Sequence, residues 1–116
     1  MLPKTPKWLD DILLSSSFIL DVTEGKTLND YKSDMMLRSA VERHFEIIGE
    51  AMNRIFRYDP ETAEKIGDYS RIIAFRNVII HGYDLVNHNE VLNVIKNNLP
   101  ELMLQVEALL SELEKN

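Results

Sequence analysis

One stripe of apolar residues constrains this chain more than any other feature. Leu37, Val41, Phe45, Ile48, Met52 and Ile55 recur at three- and four-residue spacing, through a stretch broken by no proline and by a single glycine, Gly49. At about 100° per residue they fall on one narrow side of a helix. Glu42, Glu46, Glu50, Asn53 and Arg57 fall on the other side. The pattern predicts a long amphipathic helix from about Asp34 to Arg57. Gly49 inside it costs about 1 kcal/mol relative to alanine, and close approach of another helix is the expected reason for it.

The rest of the chain reads the same way. Glycine and proline number only four each and punctuate a helical chain that has no sustained strand-like alternation, no internal repeat and no low-complexity tract. A first helix is predicted from about Pro6 to Glu24, with Thr5 as cap, proline at the first helical position and Gly25 as stop. Leu9, Ile12, Leu13, Ile19 and Leu20 recur there at helical spacing, and Trp8 reads as a packing anchor. Thr27 and Asp30 stand in capping-box spacing. Asp59-Pro60-Glu61 opens a short helix that stops at Gly67. Ser70 or Asp68 opens the next helix, which ends near Gly82. Asn87 caps a last helix whose stripe runs through Leu92, Ile95, Leu99, Leu102, Val106, Leu109 and Leu113. Pro100 predicts a kink near Lys96 to Leu99. The Leu109 to Leu113 tail reads as core, with a partner-facing surface as the alternative. The expected fold is all-α: one domain over residues 1–116, an antiparallel up-and-down bundle of about four main helices with a kinked last helix.

Composition bounds the function. Hydrophobic residues at 45% and charged residues at 28% fit an ordinary globular domain. There is no cysteine, so disulfides and thiolate metal sites are excluded and a cytoplasmic location is expected. Asp10 and Asp11 interrupt the first apolar run, which argues against a signal peptide, and no apolar segment is long enough to span a bilayer. A net charge of −6 argues against a general nucleic-acid binder. It leaves room for a cleft of confined positive charge. The row Glu42, Glu46, Glu50 lacks the Glu-x-x-His partners of a bundle di-metal site, so a solvated face, or ion pairs with Arg43 and Arg54, is expected. Glu50, beside Gly49 and Ala51, is a candidate to face another helix. His44 lies on the apolar stripe and reads as a core or interface histidine rather than a ligand.

Unusual chemistry collects in Phe75-Arg76-Asn77-Val78-Ile79-Ile80-His81-Gly82-Tyr83-Asp84. Arg76 is a permanent cation with a planar fork of donors suited to phosphate. His81 can take or give a proton near neutral pH. Val78, Ile79 and Ile80 read as the buried side of the helix, and Tyr83 follows just past Gly82. A loose arginine-to-histidine search also picks out Arg38 and His44, so spacing alone is a weak signal. The structural alternatives are a surface ion pair for Arg76, a helix-end cap for His81 and a packed ring for Tyr83.

The ordered set Arg76, Asn77, His81, Gly82, Tyr83 resembles the Arg-x4-His-x-Tyr motif of the HepT-like HEPN proteins. These are ribonuclease toxins paired with minimal nucleotidyltransferase antitoxins. Ala40-Val41-Glu42-Arg43 with Glu46-Ile47-Ile48-Gly49-Glu50-Ala51 is similar to the family's long helix, and Asn98-Leu99-Pro100-Glu101-Leu102 to its closing segment. The chain departs from the family where members often carry Pro-Trp and it has Asp68-Tyr69. The resemblance implies a type VII-like toxin: an endoribonuclease with no cofactor and no metal, RNA as substrate, Arg76 and His81 as catalytic residues and Asn77 in support. It also implies neutralisation by AMP transfer to Tyr83 from a cognate nucleotidyltransferase.

The residues constrain the mechanism independently. RNA cleavage needs a base for the 2′-hydroxyl, an acid for the leaving oxygen and a group to hold charge on phosphorus. One chain supplies one motif histidine, and Arg76 and His81 stand about 140° apart on an ideal helix. A homodimer with two motifs face to face answers both problems. The alternative function is a non-catalytic HEPN module that binds and positions a nucleotidyltransferase partner.

Overall fold

The computed structural model describes residues 1–67, 69–82 and 86–115; the side chains at 81–82 and 114–115 lie outside the description. The described residues form seven helices and no strand. They are α1 (Thr5–Thr23), α2 (Leu28–Ser33), α3 (Met35–Tyr58), α4 (Pro60–Glu64), α5 (Tyr69–Gly82), α6 (His88–Asn97) and α7 (Leu99–Lys115). α3 is the centre: α1 packs along it on one side and α5 on another, while α7 packs against α1. The packing is antiparallel. Trp8 near the start of α1 meets Tyr58 at the end of α3, with ring centres 6.0 Å apart. Likewise Phe56 meets Tyr69 at 5.3 Å, and Phe45 meets Phe75 at 5.0 Å.

The apolar stripe of α3 is buried as its spacing requires: Val41, Phe45, Ile48, Met52 and Ile55 join Leu9, Ile12 and Ile19 of α1 and Leu99, Leu102 and Val106 of α7 in one core. The polar face carries two ion pairs, Arg43 with Glu46 and Arg54 with Glu50. Glu50 is exposed and so does not face another helix. His44 is half-buried, stacks on Phe18 with centres 4.1 Å apart, and its Nδ1 lies 3.0 Å from Ser15 Oγ. Burial, with Arg43 adding to it, lowers the His44 pKa below the usual imidazole value.

Helix ends follow the local chemistry with one correction. Thr27 and Asp30 make both bonds of the capping box, Asp34 and Asp59 cap α3 and α4, and Asn87 caps α6. Gly25 has φ 74°, the left-handed conformation that stops α1. Thr5, expected to cap α1, instead lies inside the helix and donates its hydroxyl to Asp59 at 2.8 Å. Asp59 Oδ2 also accepts from Leu2 N–H at 3.0 Å and the Thr62 hydroxyl at 2.9 Å, and Oδ1 from Thr62 N–H at 3.4 Å. This one carboxylate fastens the start of the chain to the α3–α4 corner. The bend expected near Pro100 takes the form of a one-residue interruption at Asn98, with Pro100 in the first turn of α7. Proline has no N–H for the carbonyl four residues back and is tolerated where a helix begins. The apolar stripe continues across the interruption through Ile95, Leu99 and Leu102.

Candidate active site

α5 presents the motif residues, and its burial sets their directions. Ile79 is buried, and Ile72, Phe75 and Arg76 are half-buried on the side toward α3. Ala74, Asn77 and Val78 are exposed, Val78 at 50%. Val78, Ile79 and Ile80 therefore do not share a buried side as the sequence suggested. Three consecutive residues span about 200° of a helix, so only the middle one can point squarely inward.

Arg76 lies between the core face and the solvent face. Its aliphatic stem runs across Gly49 of α3: a Cβ placed on Gly49 would overlap Arg76 Cβ and Cγ and come within 3.2 Å of Cδ. The guanidinium Nη1 donates to Asn77 Oδ1 at 3.3 Å, on the exposed side. Nε is buried with no hydrogen-bond partner among the described residues. Arg76 makes no ion pair among those residues either. The stem is thus packed like an apolar side chain while the fork reaches the edge of the helix, a division long cationic side chains commonly adopt.

The backbone of position 81 is the penultimate residue of α5. Seven residues separate it from Ala74, which returns it to within about 20° of that exposed position. Arg76 and position 81 stand five residues apart on this one helix. The His81 ring and the whole of Tyr83 lie outside the described residues. The structure therefore brings Arg76 and Asn77 together directly and does not report on the roles given to His81 and Tyr83.

Beside this helix, on the flank away from Arg76, lies a groove of about 420 Å³ between α5 and the α6–α7 junction. Phe45, Ile48, Phe75, Val78, Leu99 and Leu102 line it, together with the charged residues Arg71, Glu90 and Glu101. Sequence reasoning missed two features here. One is this groove, which depends on how α6 and α7 stand away from α5. The other is the pairing of Gly49 with Arg76. A glycine in a long apolar stripe signalled a close approach but not which side chain would fill it.

Comparison with known proteins identifies the family. The profile of the family described as Ribonuclease HepT-like matches residues 12–109. A candidate RNase of Caldanaerobacter subterraneus subsp. tengcongensis is 32% identical over 110 residues, covering 94% of this chain and 97% of that protein. A candidate RNase of Methanocaldococcus jannaschii is 29% identical over 102 residues, covering 86% of this chain and 91% of that one. A second M. jannaschii protein, named as both a gamma-glutamylcyclotransferase and a candidate RNase, is 31% identical over 111 residues. Those cover 94% of this chain and 49% of that protein. No solved structure matches the chain significantly. With the all-helical bundle, the Arg76-to-His81 spacing on its motif helix and a family match across most of its length, this chain belongs to the HepT-like ribonuclease family.

Proposed function

We propose that this protein cleaves RNA as the toxin component of a toxin–antitoxin pair, acting in the cytoplasm as a homodimer with one shared cleft. The observation that carries the reading is Arg76. It is a cation with no ion-pair partner among the described residues, anchored through its stem and bonded to Asn77 on the exposed side of the motif helix. Such a fork suits a phosphodiester and the charge that grows on it during cleavage. His81 of one copy takes the proton from a ribose 2′-hydroxyl. The 2′-oxygen attacks phosphorus, the bond to the 5′-oxygen breaks, and His81 of the other copy protonates that oxygen. The products are a 2′,3′-cyclic phosphate and a 5′-hydroxyl, and no step draws on a metal.

A cognate minimal nucleotidyltransferase neutralises the toxin by transferring AMP from ATP to Tyr83. The phenolic oxygen attacks the α-phosphorus, pyrophosphate leaves, and the phenolic proton passes to solvent or base. The added nucleotide brings negative charge and bulk beside Arg76 and competes there with the RNA backbone. The acidic net charge of −6 leaves open a second reading, a HEPN module that only binds and positions the nucleotidyltransferase. RNA cleavage in the presence of chelator separates the two. The proposal expects cleavage by the wild type and none by folded Arg76→Ala or His81→Ala. Full activity in folded His81→Ala would sink the mechanism.

A further inference from the structure

We propose that Gly49 is a positioning residue of the RNA-cleaving site, the seat on which Arg76 is set; this rests on the reading of Arg76 as the phosphate-binding cation. Glycine in the middle of a helix is unfavourable relative to alanine, so its place in the middle of α3 calls for a compensating contact. That contact is specific. The three atoms nearest to a Cβ built on Gly49 all belong to the Arg76 side chain, and none to the backbone of α5. The nearest, Arg76 Cβ, marks a close approach of α5 to α3 at this residue, and Cγ and Cδ carry the arginine stem across the glycine.

The seat controls the guanidinium because little else does. Cβ and Cγ are the part of a side chain that rotamer changes move least, and they are the atoms a methyl on Gly49 would displace. Nε is buried with no hydrogen-bond partner among the described residues, and the packed stem holds the root of the fork. Nη1 donates to Asn77 at 3.3 Å. The Phe45–Phe75 and Phe56–Tyr69 ring contacts hold α5 against α3 on the N-terminal side of Arg76. A methyl on Gly49 therefore meets Arg76 Cβ, which no rotamer change can move, so α5 must shift at this residue and carry the root of the Arg76 side chain with it. A displacement of about 1 Å in a charge-stabilising group is enough to lower a rate by about a hundredfold.

The test compares Gly49→Ala with Ile55→Val, a packing change on the same helix that does not touch Arg76. Kinetics on a short oligoribonucleotide are combined with the nitrogen–proton correlation of the Arg76 Nε–H, assigned by its absence in Arg76→Lys. The wild type should show a slowly exchanging Nε–H. Gly49→Ala should lose about a hundredfold in kcat with a much smaller change in KM, and its Nε–H should shift and exchange faster. Ile55→Val should keep both. Unchanged kcat, or an unchanged Nε–H, in folded Gly49→Ala overturns the proposal. Should Gly49→Ala not fold, the wild-type spectrum decides, and a fast-exchanging Arg76 Nε–H overturns it. If Arg76→Ala cleaves RNA as well as the wild type, the catalytic reading of Arg76 fails instead, and the Nε–H behaviour alone then tells whether Gly49 seats the side chain.

Discussion

Replacing Asp59 with asparagine should destabilise the fold by about 2 kcal/mol at neutral pH and remove a defined part of its acid sensitivity. Asp59 is 6% exposed. Burial by itself would raise the pKa of its carboxyl. The bonds from Leu2 N–H, the Thr5 and Thr62 hydroxyls and Thr62 N–H outweigh it and hold the group at about 2, below its ordinary 3.8. A folded-state pKa below the unfolded one means that ionisation favours folding. The contribution is complete above pH ~4 and disappears as pH falls toward 2. The difference between the two values corresponds to about 2 kcal/mol. Asparagine cannot replace the carboxylate, because Oδ2 accepts three donors and Oδ1 a fourth. Whichever way the amide is turned, an NH₂ faces a donor, and an unmet buried donor costs about 1–3 kcal/mol. Urea denaturation at fixed protein concentration measures the effect. The midpoint of Asp59→Asn should fall with the slope unchanged, and its gap from the wild type should be constant at neutral pH and close between pH ~4 and ~2. A variant as stable as the wild type at pH 7, or a gap that stays constant into acid, would refute the reasoning.

Other outcomes follow from the same structure. Tyr83→Phe should fold, keep much of its RNA cleavage and resist neutralisation by the partner with ATP. Mass spectrometry should find added AMP on the wild type alone, and an unmodified yet fully neutralised wild type would remove the role given to Tyr83. Sedimentation at micromolar concentration should find a dimer, whereas a stable, active monomer would remove the argument for a shared cleft. His44 has its pKa lowered by burial and by Arg43, so the folded protein resists its protonation and loses stability as pH falls through the ordinary imidazole value. In His44→Gln that part of the pH dependence should vanish from thermal melts between pH 7 and 5. Persistence of the same slope in the variant would assign it to another group.

The helices, and much of what ends them, were written locally. The stripe from Leu37 to Ile55 forces α3, because residues recurring every three to four positions can leave water together only as one side of a helix. Thr27, Asp34, Asp59 and Asn87 cap helices through bonds that span two or three residues, so sequence alone identifies them. The motif was legible for the same reason, as residue types at fixed intervals on one helix. What sequence could not carry is whatever joins segments far apart in the chain. Thr5 looked like a cap until the fold brought Asp59 to its hydroxyl across 54 positions. Val78 looked buried until the packing of α5 on α3 turned it outward. Gly49 announced a close approach, but only the crossing of α3 and α5 made Arg76 the side chain that fills it. Periodicity fixes which side of a helix seeks the core. The rotation and crossing of helices then decide which of its borderline residues meet solvent, and for Arg76 that is the difference between a packed stem and an available fork.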